Sequence, residues 1–155
     1  MEYDFDTDPT DGAYTIVIGT DLSPASLPAI TESLRLAGAV RSPVLHFVHA
    51  APADSGNDVL AGLKERLSKD LADHAAAIKV PLPRNRNIHV RAGSPRDVVL
   101  SVAHDSHADL LVLGTRFDSP EDRVRFDSVS EEILHAAPCS VLVVNGRRRP
   151  KKKNL

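Results

Sequence analysis

The stretch VRAGSPRDVVLSVAHDSHADLLVLGT, residues 90–115, decides the fold class. It leaves a short β-rich run (residues 87–91), turns through Ala92 and Gly93, and enters SPRD. There Ser94 stands as a helix N-cap, Pro95 at the first helical position and Asp97 at the third, where a carboxylate meets the positive helix end. The helix is spent near His104 and His107, and the almost wholly apolar run 110–114 follows. Such a run predicts a strand covered on both faces, so the stretch reads as a parallel β-α-β unit.

The same alternation extends in both directions. Upstream, YTIVIG (Tyr14–Gly19) and PVLHFVH (residues 43–49) predict two strands; downstream, SVLVVN (Ser140–Asn145) predicts the fifth. Between them, Ser23 and Pro24 read as N-cap and N1 of a helix through Leu27, Ile30, Leu34 and Ala37, ending near Gly38. Residues 58–80 carry Val59, Leu63, Leu67, Leu71, Ala75 and Ile78 at helical spacing and stop at the breaker PLPRNRN. SVSE, residues 128–131, is a capping box. With right-handed crossovers, this order gives an α/β domain: a three-layer, doubly wound, five-stranded parallel sheet of the Rossmann kind.

Ligands in such folds bind beyond the C-terminal ends of the strands. That rim comprises residues 20–23, 92–94 and 115–127. Asp21 offers it a carboxylate suited to a metal or a ribose hydroxyl, or simply a turn before Ser23. Gly93 stands where the strand turns into its helix and a small residue is needed.

The chain of 155 residues holds 19 Lys and Arg against 21 Asp and Glu, a net charge of −2. Six of the basic residues lie in RRRPKKK, residues 147–153, so the remainder carries 13 against 21 and is acidic. The opening residues 1–13 hold five acidic residues and no basic one. Both ends, 1–13 and 146–155, are therefore expected to be flexible tails around a domain at 14–145. The basic tail has no aromatic residue for base stacking, so contact with nucleic acid through it would be electrostatic and salt-dependent. No apolar run approaches the ~20 residues that cross a bilayer, and the lone Cys139 can form no internal disulfide. A cytoplasmic protein without membrane contact is expected.

The search for catalytic patterns is negative. There is no G-x-S-x-G elbow, G-x-x-x-x-G-K-[ST] loop, G-x-G-x-x-G or zinc-type CxxC. His104, His107 and Asp109 have a spacing compatible with a metal, but no second ligand group accompanies them, and a histidine at a helix C-terminus is favourable in itself. His46 and His49 project to opposite faces of their strand and cannot form one pair. Cys139 reads as a small hydrophobe at the start of a buried strand. No enzyme and no metal site are expected.

TIVIGTDLSPASLPAI (15–30), LHFVHA (45–50), residues 90–115 and DSVSEEILHAAPCSVLVV (127–144) together resemble the universal stress protein family, across about residues 14–145. The resemblance implies an adenine-nucleotide-hydrolase-like fold, usually dimeric. It also implies two subclasses, one binding ATP through a glycine motif after the fourth strand and one lacking that motif. In this chain Gly114 matches the first glycine, Phe117 stands at the second and Asp127 at the third, followed by Ser128. The resemblance alone implies that Gly93 matches a position opening the ligand cleft. Phe117 cannot supply the positive φ or the close backbone approach that a phosphate loop takes from glycine. Asp127 sets a negative charge beside a polyphosphate, about 4 kcal/mol at ~4 Å and an effective dielectric of ~20. Arg116, Arg123 and Arg125 are the counterargument, since guanidinium groups grip phosphate without glycine.

The expectation is a non-catalytic stress-response or regulatory module that does not hold ATP in the family mode and works with itself and an unidentified regulatory partner. The competing reading is a switch that binds ATP with Mg²⁺ through Asp21, Gly93, Gly114 and Ser128. A second competitor is nucleic-acid binding through residues 147–153. The resemblance also implies that the last strand pairs with its copy across a two-fold axis through Val141, Leu142, Val143 and Val144.

Overall fold

The computed structural model describes residues 12–115 and 128–146. Most of both tails, Phe117, Asp127 and the loop arginines lie outside the described residues. Five strands, β1 (Tyr14–Gly19), β2 (Pro43–Ala51), β3 (Arg86–Ala92), β4 (Leu110–Thr115) and β5 (Ser140–Asn145), form one parallel sheet in the order β3-β2-β1-β4-β5. Helices α1 (Leu27–Ala39), α2 (Asn57–Ile78), α3 (Pro95–Asp105) and α4 (Ser128–Ala136) connect them.

Strand alternation divides the apolar residues between two cores. Ile16, Ile18, Leu45, Phe47 and Val112 meet Ile30 and Leu34 of α1 and Leu67 and Leu71 of α2 on one face. Val17, Val48, Leu111 and Leu113 meet Val98, Val99 and Val102 of α3 and Ile133 of α4 on the other. Phe47 and its largest neighbours are wholly buried. Truncating Phe47 to alanine would typically cost about 3–5 kcal/mol.

Three local details differ from the sequence reading. Pro24–Ser26 forms a separate 3-10 turn and α1 begins only at Leu27, because the Ser23 side chain makes no cap bond and its hydroxyl donates to Asp21 instead. Val59 is 52% exposed rather than part of the apolar stripe. The buried residues of α2 are Leu67, Leu71 and Ala75, so its first turn, with Val59, lies clear of the core. Strand β2 continues past His49 to Ala51, paired with β3 through Ala92. The Ser94 cap is present as read, with Ser94 Oγ accepting from the Asp97 N–H at 3.2 Å.

Candidate functional site

The connections leaving β1 and β4 run to opposite faces of the sheet, because α1 packs with one core and α4 with the other. Adjacent strands whose connections diverge leave a crevice at their carboxyl ends. Here it is a cleft of 530 Å³. Val48, Val99, Leu113 and Ile133 supply apolar wall, and Asp21, Ser23, Ser26, His49 and Thr115 supply polar groups. The volume lies within the range of small-molecule sites.

The DLSPAS segment builds one rim around Asp21. Asp21 Oδ1 accepts from the Ser23 N–H at 2.8 Å and from the hydroxyls of Ser23 and Ser26, each at 2.6 Å. Ser26 Oγ in turn accepts from the Asp21 N–H at 3.1 Å. Burial by itself would raise the Asp21 carboxyl, but the two hydroxyls and the backbone N–H groups of Ser23 and Asp21 outweigh it and hold the group below the ordinary carboxylate range. Asp21 is thus a carboxylate whose Oδ1 is occupied locally, leaving Oδ2 as the oxygen able to meet a ligand.

Gly114 also lines the cleft, and its lack of a side chain has a packing reason. A Cβ there would stand 3.3 Å from the Ala25 carbonyl and 3.6 Å from Ala29 Cβ. Gly93 lies elsewhere. It is not among the lining residues; its φ of +146° and its N–H bond to the Ala51 carbonyl at 3.0 Å serve the β3–α3 turn, and a Cβ would meet Val98 at 3.2 Å. Helix α4 begins at Ser128, and Val129 and Ser130 of its first turn border the cleft.

Two further residues border the cleft: Thr115, which the sequence placed on the rim without a role, and His49, which it read only as a strand histidine. His49 Nδ1–H donates to the Thr20 carbonyl at 2.9 Å, which fixes the tautomer and leaves Nε2 as the ring nitrogen available to a ligand. Thr115, 4% exposed, carries a hydroxyl with no hydrogen-bond partner among the described residues. Nothing in the local pattern gives either residue a role; the spacing D-x-S-x-x-S was the one signal that could have disclosed the Asp21 latch.

The remaining candidates are engaged away from the cleft. His46 meets His89 of β3 rather than His49, with Nδ1 to Nε2 at 2.9 Å and stacked rings 5.1 Å apart. Burial lowers the affinity of both rings for a proton, and the nearby His46, Arg91 and Lys64 lower that of His89 further. Asp109 sits at the opposite end of the sheet, where its carboxylate accepts from the Thr15 N–H at 2.8 Å and its own N–H donates to the Thr15 carbonyl at 2.9 Å. No group of three or more His, Cys, Asp or Glu able to hold a metal occurs among the described residues. Cys139 is a half-buried free thiol, pushed up by burial and by Asp109, the opposite of what a nucleophile needs. Among the described residues no helix is long and apolar enough to cross a membrane.

Fold and cleft together define a doubly wound α/β protein with a small-molecule-sized crevice at its topological switch point. The model of the universal stress protein family matches residues 14–145, and the chain belongs to that family. A universal stress protein of Methanothermobacter thermautotrophicus is 33% identical over 92 residues, covering 53% of this chain and 62%, under two thirds, of its own length. One of Methanocaldococcus jannaschii is 26% identical over 145 residues, covering 89% of this chain and 84% of its own. Among solved structures, a universal stress protein in complex with cAMP superposes with a TM-score of 0.63 at 24% identity, covering 86% of this chain and 98% of the other.

Proposed function

We propose that this protein is a non-catalytic, cytoplasmic stress-response regulator, working as a homodimer, whose cleft takes a nucleoside or nucleoside monophosphate rather than ATP. The observation that carries the reading is the cleft itself: apolar wall for a base, and the latched carboxylate of Asp21 for a sugar hydroxyl. The solved relative named with cAMP supports a ligand of that size. The sequence argues against the triphosphate, since Phe117 and Asp127 stand where the family's ATP-binding subclass has glycines. The edge strand β5, with Val141, Leu142, Val143 and Val144, supplies the dimer surface. An unidentified regulatory protein is the expected partner, and the basic residues 147–153 are a secondary, salt-dependent route to nucleic acid.

ATP with Mg²⁺, gripped by Arg116, Arg123 and Arg125, is the competing occupant. Calorimetric titration of the full chain with AMP, cAMP and Mg²⁺-ATP separates the two. The monophosphates are expected to bind more tightly than Mg²⁺-ATP, and the double substitution Phe117→Gly with Asp127→Gly is expected to gain ATP affinity by about tenfold or more. Mg²⁺-ATP binding more tightly than the monophosphates in the unaltered chain would overturn the reading.

A further inference from the structure

Strand β3 forms one edge of the sheet and bonds to β2 through its odd-numbered residues. The Asn85 carbonyl accepts from the Leu45 N–H and the Gly93 N–H donates to the Ala51 carbonyl, each at 3.0 Å. Successive residues of a strand turn their N–H and C=O groups to opposite sides, so those of Arg86, Ile88 and Val90 point outward, where no strand lies among the described residues. The side chains of Ile88 and Val90 pack at the margin of the first core and stay half-buried.

This edge is also basic. Residues 79–96 hold five Lys and Arg and no Asp or Glu. Lys79, Arg84 and Arg86 are exposed and make no ion pair among the described residues, Arg86 donating only to the Pro83 carbonyl, and Arg91 comes no closer than 3.9 Å to Asp105. Like charge keeps a second β3 away, whereas an acidic strand would meet opposite charge along the whole edge.

The chain carries such a strand. Residues 2–8 read EYDFDTD, in which Glu2, Asp4, Asp6 and Asp8 alternate with Tyr3, Phe5 and Thr7. A period of two sets the carboxylates on one face and both aromatic rings on the other. Beside β3, the rings would cover Ile88 and Val90, and the carboxylates would take the opposite face, that of Arg91.

Length and route agree. Gly12, at φ +74°, turns the chain just before β1, and the Tyr14 N–H donates to the Ser42 carbonyl, next to the exposed Arg41. A strand outside β3 would lie three spacings from β1, about 14 Å, and residues 9–13 can span about 17 Å. The position beyond β5 is equally distant, but Asp109 flanks β1 on that side and residues 140–145 carry no charge.

We propose that residues 2–8 add to the edge of β3 as a strand antiparallel to it. Backbone bonds to Ile88 and Val90 hold the added strand, Tyr3 and Phe5 give it apolar contact, and the basic edge selects it by charge. The direction follows from the route, since the segment leads back from the end of the sheet where β1 begins.

The chain has no tryptophan, so Phe5→Trp supplies a single reporter in the full-length protein. Its emission is expected at shorter wavelength than that of a solvated indole and unchanged by dilution. The Ile88 and Val90 amides are expected to exchange about tenfold or more slower in the unaltered chain than in Tyr3→Ser with Phe5→Ser. Arg86→Glu with Arg91→Glu is expected to move the reporter to solvated emission, and adding Asp4→Arg with Asp8→Arg to restore the shorter wavelength. Solvated emission with the native charges in place would overturn the proposal, and so would failure of the reversed charges to release or to restore the reporter. A short-wavelength emission lost on dilution would overturn it in favour of pairing between copies.

Discussion

The two edges of the sheet are built on different principles. At β3, Arg86, Asn87 and Arg91 are exposed, and Arg91 Nη1 reaches Ser101 Oγ at 3.4 Å and Asp105 at 3.9 Å on α3. At β5, Ser140 and Asn145 are exposed at the two ends, with four half-buried aliphatic residues between them. Charge on an edge strand opposes pairing with another chain, whereas an apolar edge invites it. The contrast is between an edge that charge closes to further pairing and an apolar edge that, on the proposed function, meets a second copy.

The largest expected effect comes from charging the open edge. Val143 lies mid-strand yet belongs to neither core, unlike Leu142 and Val144 on one face and Val141 on the other. Val143→Lys would set like charges against one another across a two-fold axis. Sedimentation velocity should show the dimer weakened about a hundredfold or more. An unchanged distribution would remove β5 from the interface.

A middling effect is expected on acidification, which acts on the closed edge. His46 and His89 both have proton affinities below the ordinary histidine value of 6.5. Between that value and the lower native ones the unfolded chain binds more protons than the native chain, so stability is retained above about pH 6.5 and falls as the pH drops below it. Urea unfolding at pH 7.5 and 5.5 should show this loss, and the double substitution His46→Asn with His89→Asn should flatten it. A profile as steep in the variant would place the titrating groups elsewhere, His74 being the next candidate.

The smallest effect is expected from opening the closed edge. Arg86→Val with Arg91→Val removes two exposed charges and one weak ion pair, a loss of at most about 1 kcal/mol in stability. Light scattering at rising concentration should then reveal weak self-association beyond the dimer. A concentration-independent mass would mean that the charge of Arg86 and Arg91 is not what keeps that edge unpaired with another copy.

The sequence was most legible where a local rule acts within a few residues. The Ser94 cap and the β4 run follow from a side chain competing for a nearby N–H group and from two-sided burial. Ser23 misled because the same hydroxyl has a second local acceptor, and in the folded chain Asp21 takes it. The site was less legible. Asp21, Gly114 and Thr115 were placed at the rim, while Gly93 belongs to a turn; that His49 borders the same cleft became visible only once β1 and β2 lay side by side. The contact of His46 with His89 spans 43 residues and leaves no trace in any local pattern.

By itself, the sequence determined the alternation of strands and helices, the two-sided burial of the central strands and the family, because these rest on periodicity and on short motifs. The tertiary structure alone decided which carboxylate oxygen is occupied, which ring nitrogen of His49 is hydrogen-bonded and which buried hydroxyl is left without a partner among the described residues. Those properties belong to atoms brought together from distant segments, and hydrogen-bond satisfaction is settled only when the whole sheet has closed around them.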